Sequence, residues 1–221
     1  MPQPSKRTYK SNLRATQAEA TRHAILAAAR RVCCAGGWPN ATFAAIAKEA
    51  GVSKETIYSI FGSKVVLIGE MVKASVAKSV PGKHFLDEER PRAIRGETDQ
   101  ARQIDLWATY LSEILERVSP LMAVVRSGSE VEPEMGELYR ALHQGRRANL
   151  SLIAHSILNQ GKLRNSLSIE TTTDILWQLA SPEMFHLLTG VGGYSTEQFA
   201  HWLSGMLKAA LLESNARRRR A

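Results

Sequence analysis

The chain has only two cysteines, and they are adjacent. Cys33 and Cys34 cannot build a disulfide framework, which fits a reducing compartment. On a helix they point about 100° apart, so one is expected to pack inward and the other to lie near the surface, with redox sensing as an alternative role. No run approaches the roughly eighteen apolar residues needed to span a bilayer. The opening MPQPSKRTYKSNLRATQ is basic but has no apolar core, so it does not read as a secretory signal. These absences predict a cytoplasmic protein with no membrane partner.

Enzyme signatures are missing as well. There is no HExxH, GxSxG, phosphate-loop or paired-cysteine zinc spacing. Gly190, Val191, Gly192 and Gly193 lie between helical segments with no strand before them, which suits a turn better than a nucleotide cradle. His84, Asp87 and Glu88 could be drawn as a metal cluster, but in a charged loop such a trio is usually solvated. The sequence therefore predicts no enzyme, no metal and no cofactor. Strand-like alternation and internal repeats are also lacking, so the remaining periodicity is helical throughout.

Charge is present and unevenly placed. The net charge is +8 over 221 residues, with 44% hydrophobic content to build a core. Met1 to Lys64 carry ten Lys or Arg against three Glu, Arg217 to Arg220 add four positive charges, and the span between is left near −3. One basic end on an otherwise acidic chain suits a polyanionic partner such as double-stranded DNA, the alternative being a solubility bias of surface residues.

The most informative segment is Thr42 to Lys64, TFAAIAKEAGVSKETIYSIFGSK. Phe43, Ile46, Ala47 and Ala50 are spaced three and four apart behind Thr42, a helix N-cap type. Gly51 sits where a helix end wants a left-handed residue. Ser53 can cap a second helix that buries Ile57 and Phe61 and turns Lys54, Thr56, Tyr58 and Ser59 outward. Two short helices joined by such a turn form a helix-turn-helix, and the outward residues are hydrogen-bonding types suited to base edges and phosphates. Thr16 to Gly36 supplies a third helix, with Ile25, Ala28, Ala29, Val32 and Cys33 on one face.

The run AIAKEAGVSKETIYSIFGSK resembles the DNA-binding signature of the TetR family of bacterial transcriptional regulators. The match extends from Gly36, Gly37 and Trp38 through Ser63 and Lys64, about the first third of the chain. It departs from the pattern at Ile60, where a histidine is usual, and at Ala44 and Ala45, where polar residues are common. By position in the motif, Lys54 and Thr56 face bases or nearby phosphates, Tyr58 suits a phosphate or thymine methyl, Thr42, Ser53 and Lys64 suit backbone phosphates, and Ser59 shares the outward face. The resemblance implies an all-α protein with an N-terminal three-helix DNA-binding domain and a larger helical ligand-binding and dimerisation domain.

The expected divisions are a flexible basic arm over 1–14 carrying Lys6, Arg7, Lys10 and Arg14, a helix-turn-helix domain over 15–64, a helical domain over 65–213 and a basic tail over 214–221. Ser63 is expected to cap a helix running to about Ser79, with a break around Pro81 and Gly82. Thr98 is expected to cap the next, Pro120 to open another, and Pro133 to open one ending near Gln160. Ile169 to Ala180, a segment opened by Pro182, and Thr196 to Glu213 complete the domain.

Leu176, Leu179 and Leu187, with Phe199, Trp202, Leu203, Met206, Leu207 and Ala210, offer apolar surface for a two-fold dimer, the alternative being packing within the chain. The resemblance also implies a small-molecule effector among the central helices. Candidate lining residues are Trp107, Tyr110, Met122, Arg126, His143, Arg147, His155, Trp177, Phe185 and His186, though aromatic residues at helical spacing are more often plain core. The expected function is a dimeric, sequence-specific repressor on a pseudo-palindromic operator, released by a small molecule. The alternative is an activator or DNA-associated interaction module of the same fold.

Overall fold

The computed structural model describes residues 6–76 and 84–213, with side chains from residue 16 onward. Within these residues all regular structure is helical. The helices are α1 Lys6–Asn40, α2 Phe43–Ala50, α3 Lys54–Phe61, α4 Lys64–Val76, α5 Glu89–Arg95, α6 Gln100–Ser129, α7 Pro133–Leu158, α8 Ile169–Leu179, α9 Pro182–His186 and α10 Thr196–Leu211. The expected roles of residues 1–5 and of the arm's side chains, the segment 77–83 and the tail with Arg217 to Arg220 fall outside the described residues.

Helix α1 reaches back to Lys6 rather than starting at Thr16, because neither proline nor glycine interrupts the chain between Pro4 and Gly36. Near its other end Gly37 adopts φ 66 and ψ −170, which breaks the helix and turns Trp38 into the core. Helices α1, α2 and α3 close around Ile25, Ala28, Ala29, Cys33, Ile46, Ala47, Ile57 and Phe61, all buried. A fully buried large apolar side chain contributes about 1.5–3 kcal/mol, so three short helices hold one another where a single one would fray.

Two local expectations are corrected in the body. The cap of α6 is Asp99, whose carboxylate accepts from the Ala101 and Arg102 amides, not Thr98. An aspartate reaching two free amides outcompetes a neighbouring hydroxyl. Pro120 opens no new helix but lies inside α6. Its missing amide is tolerated because Leu115, Val118, Leu121 and Met122 are buried around it and the Ser119 hydroxyl donates to the Pro182 carbonyl at 2.9 Å. Helix α6 is the central post, packed against α1, α4, α7, α9 and α10.

Candidate DNA-reading head and effector cavity

In the head, the caps form as their residue types dictate. The Thr42 hydroxyl accepts from the Ala45 amide at 3.1 Å, and the Ser53 hydroxyl from the Thr56 amide at 3.1 Å. Gly51 takes φ 68 and ψ 31 between them, a left-handed turn that a β-carbon would strain. Helix α3 thus presents Lys54, Tyr58 and Ser59 to solvent, with Tyr58 65% exposed, while Ile57 and Phe61 face inward. Thr56 is half-buried, its hydroxyl 3.0 Å from that of Ser53. Thr42 and Ser53 are exposed at the two helix starts, where free amides favour phosphate.

Lys64 departs from the expected phosphate role. Its ammonium lies 3.3 Å from the centre of the Trp38 ring, and the Trp38 indole donates to Glu132 at 2.9 Å. Burial pulls the Lys64 ammonium below its ordinary pKa, and nearby Glu132 opposes that shift. The charge is engaged inside the chain, joining the start of α4 to the α6–α7 connection. At that connection Gly128 leaves no room for a β-carbon, which would stand 2.9 Å from Met135 and 3.0 Å from Trp38. The sequence gives no hint of this joint, because Trp38 and Glu132 are far apart along the chain.

Helix α4 follows α3 after Gly62 and Ser63, and it is gripped along its length. Arg22 of α1 pairs with Glu70 and covers the Phe61 ring. At the far end, Arg117 of α6 donates to the carbonyls of Ser75 (3.1 Å) and Val76 (3.4 Å), where a helix end presents negative charge. Arg30 of α1 donates to the Arg117 carbonyl at 2.8 Å.

Beside this helix lies a cavity of about 390 Å³. Its walls are mostly apolar, from Val72 and Val76 of α4, Leu111, Leu115, Val118 and Met122 of α6, and Leu142, Leu150 and Ile153 of α7, with Lys73, His84 and Asn149 as polar members. Arg146 of α7 closes one side. The same Arg146 also borders a second, more open hollow of about 580 Å³ with Tyr139, His143, Arg147, Trp177 and Glu183.

Residues 25–71 match the family model of the bacterial regulatory proteins of the tetR family. The head thus carries the family's DNA-binding domain. That domain is of the helix-turn-helix type found in DNA-binding transcriptional regulators. The chain is 25% identical over 172 residues to an uncharacterised HTH-type transcriptional regulator of Bacillus subtilis (strain 168), YdeS, covering 77% of this chain and 79% of that one. Its fold is similar to the transcriptional regulator FadR from Bacillus subtilis in complex with stearoyl-CoA, at TM-score 0.66 and 17% identity over 84% of this chain and 96% of that one. A protein from Saccharomonospora viridis assigned as a transcriptional regulator, in complex with choline, is similar at TM-score 0.64 and 19% identity over 89% and 100%.

Among the ten residues expected to line a pocket, only Met122 borders the apolar cavity. Trp107 is sealed in the core with its indole 3.3 Å from Ser156, Tyr110 packs on Phe85, and Phe185 packs on Phe199 at 4.9 Å. Large aromatics at the seams of five packed helices are the core itself. His155 is exposed, Arg147 is tied to Asp174 at 2.6 Å on the surface, and Arg126 and His186 border a smaller hollow of about 200 Å³. His143 and Trp177 join the second hollow. Arg146, which the sequence reading missed, stands between Leu142 and Leu150 at four-residue spacing, a charge on an apolar stripe.

The dimer expectation divides in the same way. Leu176, Phe199, Leu203 and Leu207 are fully buried within the chain, mainly because α10 lies along α6, so they are not available to a partner. Leu187 (53% exposed) and Met206 (43%) remain open, and Leu179, Trp202 and Ala210 are half-buried. Val191, 74% exposed, extends that patch. Cys33 is buried and Cys34 exposed, and burial pushes the Cys33 thiol up to about 11. Among the described residues no cluster of His, Cys, Asp and Glu could hold a metal ion, and no helix is long and apolar enough to cross a membrane.

Proposed function

We propose that the protein is a dimeric repressor that binds a pseudo-palindromic operator and leaves it when a small molecule enters the apolar cavity. The observation that carries this reading is that the cavity is walled by Val72, Lys73 and Val76 of α4, the helix that continues directly from the recognition helix. A ligand there must displace or brace α4, and α4 carries the head. Thr42, Ser53, Lys54, Thr56, Tyr58 and Ser59 contact DNA, with Lys54 and Thr56 nearest the bases. Dimerisation uses the exposed face of Leu187, Val191, Trp202, Met206 and Ala210, bringing two recognition helices about 34–36 Å apart, one helical turn of DNA. Two proteins of similar fold have been solved with stearoyl-CoA and with choline, so small-molecule occupancy is compatible with this architecture.

The test pairs operator selection from random DNA with a cavity-filling variant, Leu115→Trp. The wild type should select a two-fold symmetric site and release it with some member of a compound panel. The variant should bind the same site with little change and no longer respond. Symmetric-site binding by a wild type that no compound releases, together with unchanged DNA binding by Leu115→Trp, would remove the effector half of the reading.

A further inference from the structure

We propose that the effector is an amphipathic anion, with an apolar chain or ring in the cavity and a carboxylate or similar oxyanion at Arg146. This rests on the reading of the cavity as the effector site and adds the chemical class of its occupant. Arg146 stands in the wall shared by the apolar cavity and the polar hollow. Its only hydrogen bond among the described residues runs to a neutral acceptor, the Ala180 carbonyl, at 3.1 Å. Its Nε is sealed from solvent without a partner, and no described carboxylate lies within ion-pair distance.

The neighbouring indole repeats the pattern. Trp177, whose ring lies 5.1 Å from the Arg146 guanidinium carbon, also has a buried, unpartnered Nε1. Both groups can only donate, so whatever satisfies them must accept. An unpaired guanidinium out of water is costly, and burial pulls its pKa down to about 10, so an anion is favoured over a neutral acceptor. His143, only 13% exposed, sits beside Trp177 with no hydrogen bond to either ring nitrogen, and its contact to Glu183 is 3.6 Å, too long for one. Glu183, the carboxylate facing this group, already accepts from the Tyr139 hydroxyl at 3.1 Å. The walls of the cavity are otherwise mostly hydrocarbon, with Lys73, His84 and Asn149 as the other polar lining residues, which disfavours a compact hydrophilic anion as the whole ligand.

The experiment is calorimetric titration of the full-length protein with decanoate, 1-decanol and decyltrimethylammonium, with hexanoate and dodecanoate bracketing chain length. Decanoate should bind wild type at least about tenfold more tightly than 1-decanol. That advantage should vanish in Arg146→Gln, survive in part in Arg146→Lys and shrink in Trp177→Phe, while 1-decanol affinity stays level across all three. Melting curves establish that each variant folds, and Trp177→Phe keeps the test open if Arg146→Gln does not. Equal binding of decanoate and 1-decanol would overturn the anion assignment and leave the cavity reading standing, as would a carboxylate advantage that survives in Arg146→Gln. Tighter binding of the quaternary ammonium, or no binding of any carboxylate, would also overturn the assignment.

Discussion

Replacing Lys64 separates two roles that its position in the motif would confuse. If its ammonium is held on the Trp38 face, Lys64→Ala removes a half-buried cation–π contact worth about 1 kcal/mol together with the packing of its methylene stem, worth a similar amount. The total, about 1–2 kcal/mol, corresponds to a melting shift of about 2–8 °C for a chain of this size. Lys64→Met keeps most of the stem and should lose about half as much. Glu132 keeps its bond from the Trp38 indole in both variants, so no buried carboxylate is orphaned. The assay is thermal unfolding beside operator affinity measured over a range of salt. The joint predicts a lower melting temperature with a wild-type salt slope. A wild-type melting temperature with a slope reduced by about one would place the amine on a phosphate and refute the reasoning.

Other outcomes follow from the same geometry. Thr56→Ala should alter the selected operator sequence at one position of each half-site, whereas Thr42→Ala should weaken binding evenly, read by repeating selection with each variant. The neighbouring His143, the backbone and the Tyr139 hydroxyl hold the Glu183 carboxyl down to about 2, below its ordinary 4.5. Its contribution is therefore full above pH 4.5 and is lost as pH falls toward 2. Glu183→Gln should cost about 1 kcal/mol at neutral pH after allowance for its exposure, with denaturation curves converging on wild type near pH 2. Mild alkylation at neutral pH should label Cys34 alone in the native protein and both thiols in denaturant, counted by mass spectrometry. Met206→Glu should shift the protein toward monomer in sedimentation while its helical circular dichroism stays at the wild-type level, because the side chain touches solvent in the lone chain.

What was legible in the sequence was local. Thr42, Gly51 and Ser53 act on amides and carbonyls within a few residues, so their types alone dictated the turn and the face that α3 offers. Periodicity also marked the helices, but it reports that a face is covered, never by what. Phe199, Leu203 and Leu207 were therefore legible as apolar and illegible as intrachain core, since α6 meets them from far away in sequence. Pro120 misled because a helix gripped on several sides tolerates the loss of one amide. Arg146 and Arg147 differ by about 100° of helix, which sends one to the cavity wall and the other to a surface pair with Asp174. The clue was the spacing of Arg146 with Leu142 and Leu150, not the histidine near it. Trp38, Lys64 and Glu132 meet only through the tertiary fold.

The most direct test of the central claim, that α3 reads DNA and is steered through α4 by the cavity beside it, is a footprint of the selected operator with and without a bound effector. The account predicts two symmetric protected half-sites about one helical turn apart, lost when the effector is added to wild type and retained when it is added to Leu115→Trp. Protection without sequence preference, governed by salt alone, or equal loss in both proteins, would contradict it.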